Sequence, residues 1–306
     1  MSTSTIVFGG SGFFGPILLE RYPELISVGR TKPPVHLKNQ HIALPGMDNL
    51  NVLDNLDFGA IIFLIGNSNH HELNGKCMSA FEYNVIPLKK ILYYLANTKK
   101  RLKKFIAFTG ALLYDAKRLT IPVGETQLLN PYINEYVFSK YIAEEVTKLY
   151  PTIPTINVRL SNIYGPTRLI RPDIIPTLMQ SVLSPQETTV WSVKPQRDFV
   201  YGKDVADAII KLIDTDHVGP VNVGSGIMHP IADVVAIVER LSGKKIKVLD
   251  IPVTGPMKFQ YDISLLHRLT GWKPRYSLEE GLAETYQIMK SYADECRWWE
   301  RKNAVS

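Results

Sequence analysis

The sequence predicts an α/β fold, a doubly wound parallel sheet with a smaller and less regular C-terminal region. Three observations predict it. Short β-branched runs alternate with helical segments through the first half. A glycine-rich turn sits between the first of those strands and the first helix. From about Gly165 the rhythm changes to proline- and arginine-rich loops with short strands.

The elements follow in order. "STIVFGG" is a strand ending in glycines, and "GPILLERY" carries helical character. "ELISVGR", "AIIFLIG", "KFIAFTG" and "TINVRLS" are further strands. Helices lie between them around "AFEYNVIPLKKILYYLAN" and "NEYVFSKYIAEEVTKLY". In the first of these helices Phe81, Val85, Leu88, Ile91, Leu92 and Leu95 recur at helical spacing as one apolar face. Alternating units of this kind imply a parallel sheet covered on both faces. Beyond Gly165, "LSPQETTVWSVKPQRDFVY" reads as loop plus short strand, and "GPVNVGSG" as a strand between turns. The division expected is residues 1–164 as a Rossmann-type nucleotide-binding domain to which 197–225 return. Residues 165–196 and 226–306 then form a substrate-binding region over the carboxyl ends of the strands.

Composition narrows the class. The 306 residues are 45% apolar and 21% charged, ordinary for a globular chain. The start, "MSTSTIVFGG", has no basic segment followed by a long apolar run, and no stretch approaches the about 20 apolar residues of a membrane span. Two cysteines make no disulfide framework and show no metal spacing. A cytoplasmic protein with no membrane partner and no metal is the expectation. The net charge of +6 is concentrated partly in "TKKRLKK", Thr98 to Lys104, which reads as a solvated connection. No nucleic-acid motif accompanies it, so no nucleic-acid partner is expected; a basic surface suits an anionic small substrate.

Two stretches carry chemistry. "FGGSGFFG" places Gly9, Gly12 and Gly15 where backbone N–H groups can approach a pyrophosphate, with Ser11, Phe13 and Phe14 in the same turn. About 20 residues on, where an acidic residue usually meets the ribose of NAD, the chain has Gly29 and then Arg30. A guanidinium tolerates a 2′-phosphate that a carboxylate would repel, so NADP is expected, with NAD the alternative. "YVFSK" puts Tyr136 and Lys140 one helical turn apart, and "YQIMK" does the same with Tyr286 and Lys290. The first pair precedes a sheet strand and so flanks the cofactor cleft; there the ammonium should lower the phenol pKa from about 10. The second lies beyond the sheet series and reads as ordinary helix surface.

"GGSGFFG", "YVFSK", "VRLSNIYGP", "RDFVYGKDVADAI", "VNVGSG" and "GWKPRYSLEEGL", in this order, resemble the extended short-chain dehydrogenase/reductases. The match is to their NAD(P)-dependent nucleotide-sugar epimerase/dehydratase branch. The resemblance implies a homodimer that binds a nucleotide-diphosphate sugar. It assigns Tyr136 as acid/base, Lys140 as its ribose-bound helper, and Asn84 to the helix beside the cofactor. Asn162 and Arg197 fall where the family contacts the diphosphate, and Trp191 where it places an aromatic against the base. The chain also departs from the pattern. In "FTGALLYD", the usual catalytic Ser/Thr position before Tyr114 is Gly110, and Ala111 and Leu112 replace the acid/base pair of the dehydratases. Thr109, one residue early, is the hydroxyl expected to compensate. Hydride transfer at one carbon is what remains. A 4-keto-sugar reductase is favoured, a 4-epimerase is the alternative, and a cofactor-binding regulator without catalysis is a third reading.

Overall fold

The computed structural model describes residues 4–98, 100–253, 255–295 and 297–298. Its centre is a seven-stranded parallel sheet in the order β11-β6-β5-β4-β1-β2-β3. The strands are β1 (Ser4–Phe8), β2 (Ile26–Gly29), β3 (His41–Ala43), β4 (Phe58–Phe63), β5 (Lys104–Gly110), β6 (Thr155–Leu160) and β11 (Gly219–Val223). β4 is buried along its whole length, as expected of a parallel strand covered on both faces.

Helices close both faces. α1 (Gly15–Arg21), α7 (Gly202–Ile213) and α9 (Ser264–Thr270) take one, where Ile17, Leu18, Val205, Ile209 and Leu266 pack on Ile62, Ile106 and Val158. α4 (Ile86–Ala96) and α5 (Glu135–Lys148) take the other, over Ile61, Phe105 and Ala107. The predicted apolar face of the first of these is real, but the helix is broken. α3 (Cys77–Asn84) ends and α4 restarts past Val85, with Pro87 in its first turn, where a missing N–H is harmless. The break frees Asn84 to reach sideways. The short α2 (His70–Leu73) precedes it.

A second core lies C-terminal. α6 (Ile174–Leu183), α8 (Ile231–Ser242) and α10 (Leu278–Ser291) pack together around Leu178, Met179, Val234, Val238 and Leu282. Around them run β7 (Asn162–Tyr164), β8 (Leu169–Ile170), β9 (Thr188–Val190), β10 (Gln196–Tyr201), β12 (Met228–Pro230) and β13 (Ile246–Val248). β10 pairs with β7 and β12 and stays out of the main sheet, whereas β11 is an edge strand of that sheet and α7 packs against it. Leu266 and Trp272 also lie in the first core, although they fall in the stretch assigned to the second region. No helix among the described residues is long and apolar enough to cross a membrane.

Two expectations are corrected. "TKKRLKK" is not simply solvated: Lys104 is buried and donates to His217 O at 2.7 Å, and Lys103 pairs with Asp214. Lys99, inside that run, lies outside the described residues. Tyr286 is not helix surface either. A capping box at Ser277 and Glu280 starts α10, and Leu282, Tyr286 and Met289 then recur at helical spacing on its buried face.

Candidate active site

The carboxyl ends of β1, β4, β5 and β6 open into a cavity of about 780 Å3. The glycine turn forms one wall. Gly9 has φ 80, in the left-handed region that favours glycine, and Gly12 N donates to Gly9 O at 3.1 Å. A Cβ at Gly15 would overlap the backbone of Gly10. Ser11, Phe13 and Phe14 line the same wall. The end of β2 abuts this turn, since a Cβ at Gly29 would lie 3.9 Å from Gly9 N, and Arg30 follows it, exposed. These residues fit a dinucleotide: the glycines at 9, 12 and 15 leave room for a pyrophosphate to approach the backbone, and no acidic residue stands at the end of β2.

α5 supplies the opposite wall. Its N-cap Asn134 accepts from Val137 N at 2.9 Å, which fixes Tyr136 in the first turn and Lys140 one turn later, both lining the cavity. The expected lowering of the phenol pKa is not found. Burial pushes Tyr136 up to about 12, the Arg171 charge pulls it back, and the Asp173 carboxylate pushes it further. Burial lowers the Lys140 ammonium to about 8. Within the protein alone, loss of hydration is the largest cause for Tyr136 and the cause for Lys140.

Thr109 and Gly110 lie side by side but face differently, because successive strand residues alternate. The Thr109 hydroxyl is 3.4 Å from both Glu144 Oε2 and Val158 O, turned towards α5 and the buried Glu144–Arg159 pair. Gly110 is extended, at φ −166 and ψ 174, and a Cβ there would meet only Leu160 O at 3.7 Å. Neither backbone nor packing requires glycine at this position. Asn84 does not line the large cavity. Its Oδ1 accepts from Asn67 N at 2.8 Å and its Nδ2 donates to Ser139 Oγ at 2.9 Å, which ties the loop after β4 to α5.

Asn162 and Arg197 are brought into the cavity wall from β7 and β10. Arg197 donates to Gln196 O at 2.9 Å, and burial lowers its pKa, so a charge is held there at a desolvation cost. Trp191 is 60% exposed and does not line the cavity. Sequence reasoning missed Arg171, although the arginine-rich stretch after Gly165 stood out. Its guanidinium lies 3.9 Å over the Phe13 ring, pairs with Asp173 at 2.7 Å and lines the cavity beside Tyr136.

A parallel sheet with a glycine turn, a tyrosine–lysine helix and an arginine-lined cleft defines a dinucleotide-binding α/β protein of the short-chain dehydrogenase/reductase type. The chain belongs to the NAD dependent epimerase/dehydratase family, whose model matches residues 5–224. Among curated relatives, it is 29% identical over 205 residues to the probable GDP-L-fucose synthase 1 of Oryza sativa subsp. japonica, covering 60% of this chain and 61% of that one. It is 29% identical over 197 residues to the putative UDP-glucose 4-epimerase of Methanocaldococcus jannaschii, covering 62% and 63%. The chain thus spans about three fifths of the length of these curated relatives. Solved structures share the fold over nearly the whole chain. UDP-N-acetylglucosamine 4-epimerase from Methanobrevibacter ruminantium M1, in complex with UDP-N-acetylmuramic acid, superposes with a TM-score of 0.84 at 21% identity, covering 95% of this chain and 99% of that one. UDP-glucuronic acid 4-epimerase from Bacillus cereus, in complex with UDP-glucuronic acid and NAD, gives 0.80 at 21% identity, covering 94% and 99%.

Proposed function

We propose that this protein is an NAD(P)(H)-dependent oxidoreductase that transfers hydride at one carbon of a nucleotide-linked sugar, acting as an NADPH-dependent 4-keto-sugar reductase. The observation that carries the reading is that the walls of one cavity hold the glycine turn, Tyr136, Lys140 and Arg197 together. The nicotinamide, when bound, supplies the hydride. Tyr136 supplies the proton. A phenol held at about 12 is protonated at neutral pH, so it is set to give its proton to the oxygen of a ketone under reduction. Running the other way would first require the phenolate, which burial disfavours. Lys140 holds the cofactor ribose and keeps positive charge near the phenol. Arg197 and Asn162 receive the diphosphate, for which a guanidinium offers two parallel donors. Gly29 and Arg30 favour NADPH over NADH.

The 4-epimerase reading draws on the likeness to solved 4-epimerases. One set of experiments separates the readings. Mass spectrometry of nucleotides that copurify with the protein names the sugar and base. The corresponding 4-keto nucleotide sugar is then incubated with NADPH. A reductase consumes NADPH in proportion to product. An epimerase interconverts the C4 epimers with no net consumption, and this result would overturn the reductase reading. Tight NADPH binding with neither reaction would leave a cofactor-binding regulator.

A further inference from the structure

Lys140 is shared between the main cavity and a second, much smaller one of about 10 Å3, room for a single water molecule. The small cavity is apolar except for Asn84, Thr109, Lys140 and Asn157. Asn84 already uses both ends of its amide. Asn157, buried on β6, does not. Thr147 Oγ1 gives its one proton to Glu144 O at 2.7 Å, so it can only accept from Asn157, whose Nδ2 lies 2.9 Å away. That contact fixes which end of the amide is nitrogen. The other end, Oδ1, is a buried acceptor with no partner among the described residues. An unpaired buried acceptor costs about 1–3 kcal/mol, and native structures rarely leave one unmet. Thr109 Oγ1 has one proton for two long contacts at 3.4 Å and lone pairs to spare.

We infer that the small cavity is a single-water site in which the water accepts from the Lys140 ammonium and donates to Asn157 Oδ1 and Thr109 Oγ1. Three such bonds are the usual complement of a buried water. Asn157 is then a positioning residue: it acts on the reaction only through Lys140. The ionisable groups around that ammonium leave it this need. On its own helix are Tyr136 and Glu144, and Glu144 is neutralised by Arg159 of β6 at 2.6 Å. Arg171 and Asp173, beyond Tyr136, pair with each other. α3, α4, β4 and β5 present no ionisable side chain to the small cavity among the described residues. Burial alone would take Lys140 down to about 8; the water holds it charged above that. Thr109 thus acquires a role behind the lysine and not on the sugar.

The consequence for catalysis rests on the function proposed for Lys140, but the test does not. Competitive acetylation across pH, read by peptide mass spectrometry, gives the Lys140 pKa without any substrate. Asn157→Leu keeps the size and removes the acceptor; it should lower that pKa by at least about one unit, a tenfold change in ionisation. Asn157→Asp, which keeps an acceptor, should restore or exceed the wild-type value. Thr109→Val should lower it by less, and it covers the case in which Asn157→Leu does not fold. A high-resolution crystal structure should show one ordered water between Asn157 Oδ1 and Lys140 Nζ. An unchanged pKa in Asn157→Leu, or in Thr109→Val if the leucine variant does not fold, or a dry cavity in that crystal structure would overturn the inference. A protein inactive on every nucleotide sugar would overturn only the proposed function.

Discussion

Gly110→Ser should make this protein both more stable and faster. The position is extended at φ −166 and ψ 174, which any residue adopts, and a new Cβ would meet only Leu160 O at an ordinary 3.7 Å. With no strain to oppose it, replacing glycine restricts the unfolded chain and stabilises the fold by about 0.4–1 kcal/mol. At about 2–4 °C per kcal/mol, the melting temperature should rise by about 1–4 °C. The gain in rate is larger. A hydroxyl donor on the reacting oxygen is typically worth about 10²–10³, roughly 3–4 kcal/mol, and the Thr109 hydroxyl faces Glu144 and Val158 and supplies no such donor. NADPH consumption on the 4-keto nucleotide sugar should therefore quicken at least tenfold. Gly110→Ala is the control: it shares the stiffening and lacks the donor. Equal rates for the serine and alanine variants would refute the placement of residue 110 against the reacting oxygen. A fall in melting temperature would refute the steric argument.

Other outcomes follow from the same geometry. NADPH should bind more tightly than NADH, and Arg30→Asp should reverse the order in a fluorescence titration; equal affinities in the unmodified protein would remove the case for a 2′-phosphate site. Tyr136→Phe should abolish turnover with little change in cofactor affinity, whereas Tyr286→Phe should leave the rate unchanged. Gly15→Ala puts a methyl group into the backbone of Gly10, so calorimetry should show cofactor affinity largely lost. With the proposed roles, Tyr136 as an acid at about 12 and Lys140 as a cation, the reduction rate should be level through neutral pH and fall only as pH rises. The fall begins no lower than the lysine's burial-lowered value of about 8 and is complete as the phenol ionises; an acid-side loss near neutrality would contradict these roles.

Most of the fold was legible because its strands are buried on both faces and so read as continuous β-branched runs. β3 was not: His41–Ala43 is half-exposed at the edge of the sheet, and three residues give no period. The break between α3 and α4 was hidden for a different reason. The apolar face runs straight through it, and only Pro87 and the sideways hydrogen bonds of Asn84 reveal the interruption. Lys104 shows the limit of reading charge runs residue by residue. A lysine in such a run is normally solvated, yet this one opens β5 and has a carbonyl partner, His217 O, that lies 113 residues away in the sequence.

The two tyrosine–lysine pairs show which part of a site a motif can and cannot carry. Tyr136 and Tyr286 have the same spacing to their lysines, both stand on helices, and both are buried, at 9% and 6% exposure. Burial of the phenol therefore does not distinguish them. The lysine does. Lys290 is exposed, with its ammonium 5.9 Å over the ring of its own tyrosine, where it shields an apolar surface and lines neither cavity. Lys140 is half-buried in the cavity wall, its charge opposed by lost hydration, and it stands between a large cavity that reaches the glycine turn and a small one that ends in an orphan acceptor. A protein keeps an ammonium in such a place, against the loss of hydration, when the charge has work to do there. Sequence position pointed to the pair that lines the large cavity, because the helix before a sheet strand must pass the cleft. The departures at Gly110 and Thr109 could be seen in the sequence as well, but not which way the hydroxyl turns. That direction follows from the alternation of β5 and the register that sets Thr109 beside Arg159: Thr109 lines the large cavity, but its hydroxyl reaches towards Glu144 of α5.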